Sequence, residues 1–137
     1  MSEYVEATVE IQNLESLRDA LVEMGYEVEM GENIYADGYS RKRRKVDLVV
    51  RKRSIRAKHK GAHLYGDIGY KKNEDGSITM VVDDMDRSGS LKRIKFEENA
   101  TYYTGVHNAM KQAKKRGYRV RRAVNEEGEV VLRFKKF

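Results

Sequence analysis

The chain reads as an α+β protein, a mostly antiparallel sheet of about six or seven strands with two helices on one face. Three observations carry that expectation. Segments that alternate apolar and polar residues recur around turn signals such as Asp75-Gly76 and Glu127-Gly128. Two other stretches, around Leu17 and Tyr103, repeat apolar residues every three to four positions. The 137 residues suit one domain, 1–137, with little room for a second core.

Taken in order, Tyr4 to Val9 reads as a strand, and Asn13 supplies a side-chain oxygen suited to capping a helix over 13–24. Leu14, Leu17, Leu21 and Met24 form its apolar stripe, Glu15 suits its positive end, and Gly25 offers a left-handed exit. Tyr26, Val28 and Met30 alternate with Glu27 and Glu29, which predicts a half-buried strand with an acidic outer face. Val46, Leu48 and Val50 predict another strand, with Lys45, Asp47 and Arg51 on its far side. Ile68 and Tyr70, the Asp75-Gly76 turn, then Ile78, Met80 and Val82 make a hairpin. Phe96, Ala100, Tyr103, His107, Met110 and Ala113 line one face of a helix over 97–116 that Gly117 ends. Tyr118 and Val120, the turn at Glu127-Gly128, and Val130, Leu132 and Phe134 make a closing hairpin. Residues 20–29 and 112–121 share an order of helix, Gly, Tyr and strand, a weak internal symmetry. Both helices on one face would leave the other face of the sheet wet.

Charge is the most uneven property. Hydrophobic residues are 39% and charged residues 36% of the chain, and the formal net charge is only +6. Residues 1–40 nevertheless hold ten acids against one base, and residues 41–60 hold eleven bases against one acid. No Cys is present, so disulfide frameworks, thiolate metal sites and thiol catalysis are excluded. The acidic N-terminus lacks an apolar leader, and no apolar run approaches the roughly 18 residues that a membrane span needs. A cytoplasmic protein without membrane partners is the expectation.

Almost the whole chain resembles the hypothetical chloroplast reading frame thirty-five family of uncharacterised small proteins. The resemblance rests on Asn13-Leu14-Glu15-Ser16-Leu17 with its Gly25-Tyr26-Glu27-Val28 exit, on Asp47-Leu48-Val49-Val50-Arg51, and on Asp67-Ile68-Gly69-Tyr70 followed by Asn73-Glu74-Asp75-Gly76. It continues through His107, Ala113 and Gly117-Tyr118-Arg119-Val120 into the closing hairpin. The resemblance implies a small α+β protein with no assigned catalytic residue or ligand, often encoded near AAA-type ATPases. Two departures stand out: Asp84-Met85-Asp86 lies where relatives tend to carry Trp, and Lys52 to His63 is longer and more basic than the usual connection.

The candidate chemistry is polyanion binding. Arg41, Lys42, Arg43, Arg44 and Lys45, then Arg51, Lys52, Arg53, Arg56, Lys58 and Lys60, form the footprint that drives phosphate contact through counterion release. The competing view is a solvated loop whose charge offsets the acidic first forty residues, but exposed pairs contribute only about 0–1 kcal/mol each. Strand parity adds Arg119, Arg121, Arg133 and Lys135 on the non-core face of the closing hairpin. Lys114, Lys115 and Arg116 have a simpler role at a helix C-terminus. The aromatics fall mainly on apolar faces, which favours backbone contact over base readout.

Other signals are weaker. His59 and His63 have i, i+4 spacing and His107 could be a third zinc ligand, but Gly61 weakens a helix between the first two and no partner carboxylate has a diagnostic spacing, so His107 reads as a core histidine bonded to backbone. Asp84-x-Asp86 begins like a calcium loop but meets Lys95 at the twelfth position. Gly61-x-x-x-x-Gly66 is followed by Asp67 and Ile68 where a phosphate loop needs Lys and Ser or Thr. Asp83, Asp84 and Asp86 then read as a solvated strand end. No cofactor motif is present. The sequence therefore predicts a non-catalytic protein binding nucleic acid or another polyanion through the 41–60 segment. The alternative is an adaptor for an AAA-type ATPase docked by complementary charge, and a magnesium hydrolase built on the Asp cluster stands behind both.

Overall fold

Asn13 starts the first helix as expected, its side-chain oxygen accepting the Ser16 N–H at 2.9 Å. The computed structural model describes residues 3–136. Strand β1 (Tyr4–Val9) leads to helix α1 (Leu14–Glu23), then β2 (Glu29–Asp37), one 3-10 turn (Tyr39–Arg41), β3 (Arg43–Val50) and α2 (Lys52–Lys58). The hairpin β4 (Ile68–Lys72) and β5 (Ile78–Asp83) follows, then short helices α3 (Asp84–Ser88) and α4 (Ser90–Arg93), the long α5 (Phe96–Lys115), β6 (Tyr118–Val124) and β7 (Val130–Lys136). The fold is α+β: the first five strands form one antiparallel sheet in the order β1-β5-β4-β3-β2, and β6 pairs only with β7.

The main core lies on one face of the larger sheet. Leu17 and Leu21 of α1, Ile55 of α2 and Phe96 and Ala100 of α5 meet Leu48, Val50, Ile68, Tyr70, Met80 and Val82 there. Burying each large apolar side chain contributes roughly 1.5–3 kcal/mol. Gly25, at φ +95°, lets the chain leave α1 sharply and drop Tyr26 into this core. Tyr26 and Val28 do not belong to a strand, however. Pairing begins only at Glu29, and Met30 is exposed. The proposed symmetry between residues 20–29 and 112–121 thus extends to the helix, Gly and Tyr, whereas the strand follows at once only in the second copy.

The second face is wet only in part: Glu6 and Thr8 of β1 are exposed on it, whereas the β2–β3 hairpin bends back over the area around Val49, Gly69 and Val81. The β2–β3 register shifts between Met30 and Ile34, where Gly31 and Asn33 adopt positive φ. Beyond this irregularity Ile34, Ala36 and Val46 pack on Val49, Val81 and Tyr4 in a second, smaller core. Val46 therefore leaves the face that simple alternation shares among Val46, Leu48 and Val50. Gly69 permits the approach: a Cβ there would stand 2.6 Å from Val46 Cγ1 and 3.0 Å from Ala36 Cβ. The Tyr4 hydroxyl donates to the Asp67 carbonyl at 2.6 Å, and the Asp67 N–H donates to the Asp37 carbonyl at 2.8 Å, which fastens the folded hairpin.

Three further expectations change. The closing hairpin forms its own two-stranded sheet against α5 instead of extending the main one. Lys52 to Lys58 is helical, with Ser54 and Ile55 buried, and the Lys52 N–H donates to Asp67 Oδ1 at 2.9 Å. Asp83 and Asp86 are buried. Asp83 caps α3 by accepting the Met85 and Asp86 N–H groups, so this strand end is organised by its acids and not merely solvated.

Candidate nucleic-acid interface

Arg51, between β3 and α2, sits among several acceptors. Its guanidinium meets Glu29 through two hydrogen bonds of 2.7 and 3.2 Å, Asp67 Oδ2 at 3.0 Å and the Tyr35 carbonyl at 2.7 Å. Asp37 lies 3.6 Å away. The Glu29 hydrogen bond, ahead of the Asp67 contacts, drives the Arg51 pKa up, and the same bond holds Glu29 below the usual carboxylate range. Arg51 is thus engaged within the fold. Arg43 is also engaged, donating to Asp37 at 3.0 Å with its guanidinium carbon 4.5 Å from the Tyr35 ring centroid. In a straight strand, Arg43 and Arg51 would stand about 25 Å apart. The folded hairpin instead brings both to Asp37.

The two basic runs diverge from that junction. Arg41, Lys42, Arg44 and Lys45 are exposed at the hairpin tip and form no ion pair among the described residues. Lys52, Arg53, Arg56, Lys58 and Lys60 are exposed along and just after α2, whose Ile55 enters the main core. The first run belongs to the hairpin whose Ile34, Ala36 and Val46 pack on the second face, and the second run lies on α2, which packs on the main core.

On the closing hairpin the expected parity holds. Arg119 pairs across the strands with Lys135, and Arg121 with Arg133, which places all four on one face. Neither strand carries an acid. Arg121, Arg133 and Lys135 make no ion pair among the described residues. The other parity carries Tyr118, Val120 and Phe134, with Tyr118 and Phe134 helping to line a groove of about 360 Å³ against Ala109, Ala113 and Arg116 of α5. Arg122 anchors this hairpin through two hydrogen bonds to Glu23 of α1, and His107 Nε2 lies 2.8 Å from Glu23 Oε1. His107 therefore bonds a carboxylate, not the backbone. Lys114 and Lys115 occupy the last turn of α5.

Sequence reasoning missed the exposed tyrosines. Tyr39 and Tyr65 are 53% and 41% exposed, and their rings meet edge to face with centroids 5.5 Å apart. Tyr35 is exposed beneath Arg43. Asp86 positions Tyr65 by accepting its backbone N–H at 2.9 Å, and accepts Gly66 N–H at 3.1 Å. Burial pushes the Asp86 carboxyl up to about 6 against the opposing effect of these bonds. The signal in the sequence is the position of Tyr39 two residues before Arg41; Tyr65 reaches it through tertiary structure alone.

His59 Nε2 lies 2.7 Å from the Tyr26 hydroxyl. Among the described residues, no group of three or more His, Asp and Glu side chains could hold a metal ion. No helix among them is long and apolar enough to cross a membrane. A family model described as a protein of unknown function (DUF1257) matches residues 20–132. The chain belongs to that family. The DUF1257 match begins within α1 and ends within β7, taking in the Arg51 junction, both basic runs, Tyr39 and Tyr65. No curated protein and no solved structure matches the chain.

Proposed function

We propose that this DUF1257 protein is a non-catalytic binding protein that contacts nucleic acid or another polyanion through its exposed bases. The finer resemblance to the chloroplast reading frame thirty-five proteins belongs to the same proposal. Arg121 directly opposite Arg133 is the observation that carries the reading. Like charges facing across a ladder repel by a fraction of a kcal/mol, and no acid on either strand offsets them. A phosphate backbone relieves that repulsion and releases its own counterions on binding. The 41–60 runs provide the main contact and the hairpin face a second.

Fluorescence anisotropy with labelled DNA and RNA oligonucleotides across a salt series tests this reading. Affinity is expected to fall with salt, and Arg121→Gln with Arg133→Gln to lower the magnitude of the slope by about 1 to 2. Affinity independent of salt, or unchanged after neutralising Arg41 to Lys45, refutes it.

A further inference from the structure

The folded hairpin gathers chemistry at its tip that counterion release does not use. Tyr39 and Tyr65, 53% and 41% exposed, form one ring pair. Arg41 and Lys42 follow Tyr39 around the turn and Arg44 lies at the start of β3, all three exposed and without an ion pair among the described residues. The Arg44 guanidinium donates to the Arg43 carbonyl at 3.1 Å. The three basic residues lie within five residues of Tyr39 along the chain, and Tyr65 joins that ring from the approach to β4.

Both rings stand on held backbone. Gly38 N–H donates to the Lys42 carbonyl at 2.6 Å and closes the turn, within which Ser40 and Arg41 adopt consecutive left-handed conformations, φ 57° and 63°. Tyr65 N–H is held by buried Asp86, and the next residue, Gly66, packs against Gly38. A stacking surface gains from such preorganisation because less side-chain and loop entropy is lost on binding.

We propose that this tip is a base-stacking site for single-stranded nucleic acid, with Tyr39 and Tyr65 contacting unpaired bases and Arg41, Lys42 and Arg44 contacting the flanking phosphates. The proposal rests on the polyanion reading and deepens it. Paired bases keep their faces inside the duplex, whereas unpaired bases offer them to aromatic side chains. Positive charge beside the rings suits phosphates, and planar rings suit bases, a combination that an acidic peptide matches only in its charge.

Anisotropy with labelled dT15, rU15, an abasic 15-mer of equal charge and a 15-base-pair duplex tests the site on the unaltered protein. At least one of dT15 and rU15 is expected to bind about tenfold or more tighter than the abasic strand and tighter than the duplex. Tyr39→Ala with Tyr65→Ala should remove that advantage while preserving the salt slope. Equal, salt-dependent binding of the base-bearing and abasic strands overturns stacking and leaves the polyanion reading standing; failure of all four probes to bind overturns both. Displacement of dT15 by oligoglutamate as effectively as by unlabelled dT15 overturns the proposal in favour of an acidic peptide. The comparison of probes on the unaltered protein decides the matter even where a variant fails to fold.

Discussion

Asp86 shows how one residue links burial, backbone and pH. Its carboxylate accepts N–H groups from Tyr65 and Gly66, yet burial raises its pKa from 3.8 to about 6. The folded protein therefore holds a proton there more tightly than the unfolded chain between those values. Its contribution to stability is greatest below the lower value and declines as pH rises through about 6. Urea unfolding of the protein and of Asp86→Asn should give a stability difference that shifts against the native residue across this window and then levels off. A difference independent of pH refutes that assignment. Asp84-Met85-Asp86 exposed the acids to sequence reasoning, but alternation could not tell a solvated strand end from a helix cap and a buried acceptor.

Elements meet through a few charged contacts. Glu23 of α1 joins His107 of α5 and Arg122 of β6, and the Arg122 hydrogen bond leads in holding Glu23 below its ordinary pKa. Its stabilising contribution is present above the ordinary carboxylate value and is lost as pH falls through the depressed folded value. All three side chains remain partly exposed, so the pairs are weak individually. Glu23→Gln should increase amide exchange in β6 and β7 by up to about fivefold while leaving β3 to β5 nearly unchanged. An equal increase in the main sheet would show that the hairpin is not docked as a separate unit. Sequence patterning located both strands of this hairpin and their basic parity, since both are local properties. Its separation from the main sheet depended on pairing partners that local pattern does not name.

For the whole molecule, the fold-over of β2 and β3 is decisive. It covers part of the second face, takes Arg51 into an ion-pair network with Glu29, Asp37 and Asp67, and sets Tyr39 beside Tyr65. Gly69 lies at its closest approach, whereas a Cβ on Gly105, within α5, would meet nothing within 4 Å. Gly69→Ala is expected to destabilise by about 1–3 kcal/mol through overpacking. Gly105→Ala should stabilise by about 0.5–1 kcal/mol through helix propensity. Urea midpoints read both effects, and shifts of the same sign would contradict this packing.

The sequence by itself determined the α+β class, α1, α5, the two terminal hairpin strands, the β4–β5 turn and the segregation of charge. Apolar period, capping residues and turn chemistry act over a few neighbours and can be read in order. Asn13, Gly76 and Gly117 each mark such a boundary. The tertiary structure alone decided that Val46 leaves the main core, that Asp67 meets the start of α2, and that Arg51 is ion-paired and half-buried while Arg41 is exposed. Those outcomes depend on which distant groups satisfy a buried carboxylate and fill the space above Gly69, and one-dimensional spacing cannot specify those partners.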